Sequence, residues 1–189
     1  MIKITNYKLQ ITNLRRGFTV LETIIAITVI SLAIAGATSA VTTGLIGASI
    51  AKDQVQAFYL AQEAVEILRN KRDTNILTNF NGTATNWLAG IAELATDPCA
   101  PGNTCTVDAF AYSLSNSGCT GWNSCPYLRQ DSLNYLYGYD GSWVETPFRR
   151  EVQIEIISAT EIAVTVQVSW THGLSSRSFK TKTILMSWF

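Results

Sequence analysis

The residue with the clearest chemical potential is a lone carboxylate, Glu22, at the edge of a long apolar stretch. It ends the run Arg15-Arg16-Gly17-Phe18-Thr19-Val20-Leu21-Glu22, and the next charged residue is Lys52. A carboxylate in a membrane helix costs up to about 3 kcal/mol at the bilayer centre and less near the interface, so it is a candidate functional group that needs a partner. If the chain were cut between Gly17 and Phe18, the new N-terminal amine of a neighbouring copy would supply the opposite charge.

The uncharged segment that follows Glu22 is long enough to cross a membrane. Residues 23–51 contain no charged side chain and no proline. A helix of that length extends roughly 43 Å, whereas a bilayer core of about 30 Å needs about 20 apolar residues. A secretory signal peptide fits less well, because its apolar core is shorter and its cleavage site follows that core. The remaining alternative is an uncleaved signal anchor in which the carboxylate is accidental.

The order of these features resembles the processing and methylation motif of type IV pilins and type II secretion pseudopilins. The matching parts are a basic leader, the Gly17-Phe18 junction, Glu22 at the fifth mature position and the apolar helix. The resemblance implies cleavage after Gly17 by a prepilin peptidase and N-methylation of Phe18. It also implies that Glu22 pairs with the Phe18 amine of a neighbouring subunit during assembly. One position departs from the pilin pattern, because Ser39 stands where many type IV pilins have a proline.

The distribution of charge predicts the topology. The net charge is zero, but the first 17 residues contain four basic side chains and no acid, which are Lys3, Lys8, Arg15 and Arg16. Residues 18–189 therefore have 14 − 4 = 10 basic against 14 acidic side chains, a net charge of −4. Basic flanks stay on the cytoplasmic side, so the N-terminus is expected inside and the residues after about 52 outside. The slightly acidic exterior argues against nonspecific nucleic-acid binding, which needs a basic surface.

The four cysteines predict disulfides in an oxidising compartment. They are Cys99, Cys105, Cys119 and Cys125, and they fall in the turn-rich middle of the chain. Their spacing of five, thirteen and five intervening residues differs from the two to four that paired zinc ligands favour, so no metal site is predicted. Three pairings are possible. The two loops of equal length favour local pairing only slightly.

Helical periodicity continues beyond the apolar segment. Small and aliphatic residues recur at steps of three and four on one face, which are Ala57, Leu60, Ala61, Ala64, Ile67 and Leu68. Lys52, Gln56, Glu63 and Asn70 are expected on the opposite face. Phe58 and Val65 form a second apolar edge, which either widens the core face or contacts a filament neighbour. The polar run 69–73 is expected to end the helix near Asn70, with basic side chains at its negative end.

The middle of the chain is predicted to be irregular. A short helix is expected from Asn86 to Ala95, and turns from Asp97 to Gly102. A cluster of aromatic residues either buries its rings at the edge of a small core or forms an exposed adhesive surface: Trp122, Tyr127, Tyr135, Tyr137, Tyr139 and Trp143. Asp131 and Asp140 lack the dense oxygen spacing of a calcium loop, so no calcium site is predicted there.

Alternating apolar residues predict three C-terminal strands, at 152–156, 162–170 and 177–189. Their short connections favour antiparallel neighbours. The apolar face of this sheet must be covered, and the alanine-lined half of the long helix is the large partner available. The predicted fold is therefore α+β, with the ladle architecture of pilins. The expected segments are a cleaved leader (1–17), an apolar helix half (18–50), an amphipathic half (51–72), a disulfide-containing variable region (73–143) and the C-terminal sheet (144–189).

These features favour a structural filament subunit, most similar to a minor pilin. The alternatives are a pseudopilin of type II secretion or DNA uptake, and an uncleaved membrane-anchored binding protein. The resemblance implies three partners, namely other pilin subunits, the prepilin peptidase and an inner-membrane assembly platform. No cofactor and no catalytic residue is predicted. His172 is the sole histidine and is expected in an exposed hairpin turn, and the chain lacks the motifs of a nucleophile elbow or phosphate loop.

Overall fold

The computed structural model describes residues 17–173 and 175–187. Contacts divide the chain into two units, Met1–Gly47 and Ala48–Phe189. The leader residues 1–16, Leu174 and the last two residues lie outside the described part. The helix is α1 (Val20–Phe80), and the strands are β1 (Thr104–Asp108), β2 (Ser113–Ser115), β3 (Arg129–Gln130), β4 (Tyr137–Gly138), β5 (Val144–Glu145), β6 (Phe148–Ser158), β7 (Glu161–His172) and β8 (Ser175–Met186).

The C-terminal part of α1 supplies one wall of the hydrophobic core. All six residues of the predicted core face are buried. Val65 is buried with them, whereas Phe58 lies at the margin of this face and meets the ring of Phe179 edge-on at 5.6 Å. Val65 therefore widens the core face. Two residues of the predicted polar face point toward the fold, because Gln56 donates to the hydroxyl of Tyr137 and Glu63 pairs with Arg150.

The helix does not end near Asn70, so that prediction was wrong. The polar run is accommodated because Arg72 is buried and donates to the carbonyl of Met186 at 3.3 Å. The helix ends at Phe80, and Gly82 follows it with a φ of 91°. The amides of Gly82 and Thr83 donate to the carbonyls of Asn79 and Thr78, the paired bonds of a Schellman motif. Glycine adopts this left-handed conformation without strain.

The main sheet has five antiparallel strands in the order β2-β1-β6-β7-β8. The three predicted C-terminal strands are confirmed, and their alternation is explained by one face that packs against α1. Val152, Val164, Val166 and Val168 are fully buried on that face. The α+β class, with a long N-terminal helix packed against antiparallel strands, is therefore confirmed. The third run was expected to reach Phe189, but β8 ends at Met186 and the last two residues lie outside the description.

The variable region is more regular than its composition predicts. Its β1 pairs with β6 through Thr104↔Gln153, which extends the C-terminal sheet, and β3, β4 and β5 form a separate three-stranded sheet. Residues 87–96 form turns and bends in place of the helix that was expected from Asn86 to Ala95. Gly90 interrupts the helical path with a φ of 65°, although Leu88 and Ile91 still reach the core. The turns expected between Asp97 and Gly102 are present.

A buried arginine joins these layers, and the periodicity of the sequence does not reveal it. Arg150 is fully buried on β6. Its guanidinium donates to the Leu60 carbonyl at 3.2 Å, to the Val107 carbonyl at 2.6 Å and to the carboxylate of Glu63. Because these acceptors belong to α1 and β1, one side chain connects the helix to two strands. These oxygen acceptors offset the free-energy cost of removing the guanidinium cation from water.

Candidate functional site

The candidate processing and assembly site lies at the start of α1. Gly17, Phe18 and Thr19 precede the helix and are exposed, so the Gly17–Phe18 peptide bond is in non-helical backbone. A Cβ added at Gly17 would meet no atom within 4 Å. Arg15 and Arg16, the predicted leader charges, lie outside the described residues.

Glu22 occupies the third position of α1, and Thr19, three residues before it, caps the start of the helix. The backbone N–H of Glu22 donates to Oγ1 of Thr19 at 3.3 Å, and Thr19 begins the helix through the Thr23 amide. Thr19-x-x-Glu22 is the pattern of a capping box, and an acid in the first turn interacts favourably with the helix dipole. Within residues 17–173 and 175–187, the Glu22 carboxylate forms no ion pair. It remains available to a cation from outside the subunit.

The apolar part of α1 is suited to lipid or to other helices. Residues 23–49 carry no charge, and all of them are exposed. The hydroxyls within this segment bond to carbonyls one turn back, for example Thr28 to Ile25 at 2.8 Å and Thr38 to Ile34 at 2.8 Å. Since such groups have no water partner in a bilayer, this internal bonding makes the hydroxyls compatible with an apolar surrounding. By length and composition, α1 can cross a membrane.

The structure contains two disulfides, Cys99–Cys105 and Cys119–Cys125. Both join neighbours in sequence, the pairing that the equal loop lengths slightly favoured. Cys99 and Cys105 are buried in the core, with Cys105 in β1, whereas the second pair closes the loop that precedes Tyr127. Each disulfide reduces the number of conformations that its loop can adopt in the unfolded chain, which stabilises the folded state.

The remaining sequence candidates have structural roles. His172 is not a simple exposed turn residue, because it ends β7 and its Nδ1 lies 2.8 Å from the Asp53 carboxylate on α1. The aromatic cluster is divided. Tyr137 and Tyr139 pack against the core, whereas Tyr135 is 72% exposed. Burial raises the pKa of Tyr139 to about 12, with nearby Arg150 acting in the opposite direction.

Comparison with known proteins bears on the N-terminal features. Residues 12–38 match the family model described as the prokaryotic N-terminal methylation motif. The chain carries a prepilin-type N-terminal methylation motif. No curated protein and no solved structure matches the chain. The motif and the long apolar helix together are consistent with a type IV pilin-like protein anchored in the inner membrane. They indicate a structural subunit rather than an enzyme, and they imply processing by a prepilin peptidase and assembly with other pilin subunits.

Proposed function

We propose that this chain is a minor pilin, a structural subunit of a type IV pilus-like filament. The observation that carries the proposal is the methylation motif placed directly before an exposed, uncharged helix. An apolar helix surface of this length is unfavourable in water. It is covered by lipid before assembly and by the helices of other subunits afterwards.

The first step is proteolytic. A prepilin peptidase on the cytoplasmic side hydrolyses the Gly17–Phe18 bond, which leaves the Gly17 carboxylate on the leader and an amine on Phe18. The leader arginines, Arg15 and Arg16, hold the N-terminus in the cytoplasm before the cut. The Phe18 amine is then N-methylated and keeps a positive charge at neutral pH.

The second step is assembly on an inner-membrane platform. The Glu22 carboxylate pairs with the Phe18 amine of a neighbouring subunit and sets the axial register. In an apolar surrounding, an ion pair is strongly preferred over two separated charges. The capping position supports this role, because it holds the carboxylate one helical turn from the chain start. Residues after α1 then lie on the surface of the extracellular filament.

The alternative assignment is a pseudopilin of type II secretion or DNA uptake, since such proteins share the motif. The C-terminal run Thr181-Lys-Thr-Ile-Leu-Met-Ser-Trp188 resembles minor pilins more than major pilins. Deletion of the gene from its host distinguishes the two: a minor pilin lowers the number or length of surface filaments, whereas a pseudopilin lowers secretion or DNA uptake.

Processing is tested by the intact mass and N-terminal sequence of the protein from host membranes. We expect a chain that begins with methylated Phe18. The variant Gly17→Leu should retain the leader, because it changes the residue directly before the cleaved bond, at a position where a Cβ meets no described atom within 4 Å. Gly36→Ala is the matched control and should be processed normally, since its Cβ also meets nothing within 4 Å. A wild-type chain that begins at Met1 would contradict the proposal and favour an uncleaved membrane-anchored binding protein.

Assembly is tested separately with Glu22→Gln. This variant should be cleaved, because Gly17 and Phe18 are unchanged, but it should enter sheared filaments less than the wild type. Equal incorporation of the variant would show that the carboxylate does not guide assembly.

A further inference from the structure

A polar cavity of about 350 Å³ lies on the face of the main sheet that is turned away from α1. Arg149, Ser169 and Ser178 stand side by side there, because β6, β7 and β8 align these three positions. Thr171 and Ser176 form the next aligned pair. Residues directly opposite in antiparallel strands share a face, so one guanidinium and four hydroxyls converge on one area. The volume lies within the roughly 300–1,000 Å³ of small-molecule sites.

The wall of this cavity is held rigidly by the second disulfide loop. The buried Glu151 carboxylate accepts the amides of Asn123 at 2.8 Å and Cys125 at 3.1 Å. Asn123 is in the left-handed region with a φ of 64°, and its side-chain oxygen accepts from Gln167 at 3.1 Å. These contacts fix the position of the Asn123 carbonyl, to which Arg149 donates. The loop is therefore preorganised around the arginine.

Arg149 is oriented but not neutralised. Its guanidinium carbon lies 4.0 Å from the centre of the Tyr127 ring, and its Nε–H is buried without an acceptor in the described part of the chain. Arg177, which lies opposite Trp170 in the register, also lines the cavity, and neither arginine forms an ion pair with the described residues. None of the ten lining residues is acidic. The nearest buried acid on this face, Glu151, directs its oxygens to the loop amides instead.

The four aliphatic hydroxyls of the cavity form no hydrogen bond to another described residue, and those of Thr171, Ser176 and Ser178 belong to exposed residues. A planar carboxylate matches the fork of a guanidinium, and hydroxyl groups match the further oxygens of a small polar ligand. We propose that this cavity binds the carboxylate of a small organic acid such as a sugar acid. Binding at this site does not depend on filament assembly.

The test uses the full chain in nonionic detergent micelles and ligand-observed saturation-transfer NMR. The probes are glucuronate, glucose as its neutral analogue and propionate as a carboxylate without a sugar ring. We expect glucuronate to bind at concentrations up to about 10 mM and glucose to bind at least tenfold more weakly. Propionate binding equal to that of glucuronate would support recognition of the carboxylate alone, and stronger glucuronate binding would support recognition of a sugar acid.

Variants locate the binding to the cavity. Arg149→Gln should weaken glucuronate binding about tenfold or more, because a charged hydrogen-bond donor is lost. Ser169→Leu fills the cavity and keeps the charge of Arg149, and it should abolish glucuronate binding. This variant keeps the test valid if Arg149→Gln does not fold. Arg69→Gln removes an exposed arginine of α1 and should bind as the wild type. The proposal is overturned by equal affinities for glucose and glucuronate, by the absence of binding for both acids, or by wild-type affinity in Ser169→Leu.

Discussion

Replacing Arg150 with methionine should destabilise the folded unit strongly. Methionine fills a similar apolar volume, so the main change is the loss of the guanidinium donors. Arg150 donates to two backbone carbonyls, at 3.2 Å on Leu60 and 2.6 Å on Val107. A buried acceptor that loses its partner costs about 1–3 kcal/mol. Glu63 is partly exposed and regains water, so its contribution is small.

The net effect is smaller than the sum of these bonds. The Nε–H of Arg150 is buried and has no acceptor in the described part of the chain, so its removal relieves a cost. We therefore expect a loss of about 2–4 kcal/mol in the free energy of unfolding. For a protein of this size, that corresponds to a decrease of about 4–16 °C in Tm. A buried ion pair exchanged as a whole for apolar residues can be neutral, but here only one partner is replaced.

The assay is thermal unfolding of the full chain in detergent, followed by tryptophan fluorescence. Arg69→Met is the matched control, because it removes an exposed arginine of α1 and should change the free energy of unfolding by no more than about 0.5 kcal/mol. The loss in Arg150→Met should persist in high salt, since buried interactions are weakly screened. If the two variants unfolded within about 1 °C of each other, the interpretation of Arg150 as a stabilising connection would be refuted.

Three further predictions concern the same unit. At high pH, the protein should lose stability between about pH 10 and pH 12: the neutral phenol of Tyr139 is favoured in the fold, so its contribution is complete below the unfolded pKa and disappears as the pH rises through the folded value. Tyr139→Phe should flatten this alkaline decrease in Tm while costing about 1 kcal/mol at neutral pH for the lost bond to the Arg150 carbonyl, and an unchanged alkaline profile would argue against it. Replacement of both Cys119 and Cys125 by serine should lower the free energy of unfolding by about 2–3 kcal/mol, measured by denaturant titration, with no change expected when the wild type and variant are compared under reducing conditions. Glu151→Gln should release the Asn123 loop and increase hydrogen exchange at the amides of Asn123 and Cys125, whereas the exposed substitution Glu155→Gln should not.

The parts of the fold that sequence patterns predicted are those set by neighbouring residues. The apolar residues of β7 repeat every two positions and those of α1 every three or four. These short repeats can be seen in the sequence, so the burial of both faces was predicted from it. The predicted end of α1 was wrong because the polar run 69–73, with its basic side chains, was interpreted as a helix terminus. The helix continues through this run because Arg72 donates to the carbonyl of Met186, which is 114 positions away in the sequence.

The site shows the same division. The sequence by itself determined the N-terminal motif and the uncharged helix, because a peptidase site and a membrane span are defined by consecutive residues. Only the tertiary structure decided that Arg150 and Glu151 are buried, that β1 joins the C-terminal sheet and that Arg149 borders a cavity. The predicted strand 152–156 did not include the charged residues 149–151, whereas β6 begins at Phe148 and contains them. Successive residues of a strand face opposite sides of the sheet, so Arg150 points toward α1, whereas Arg149 and Glu151 point toward the disulfide loop. Carbonyl and amide groups that are distant in sequence bind these three side chains.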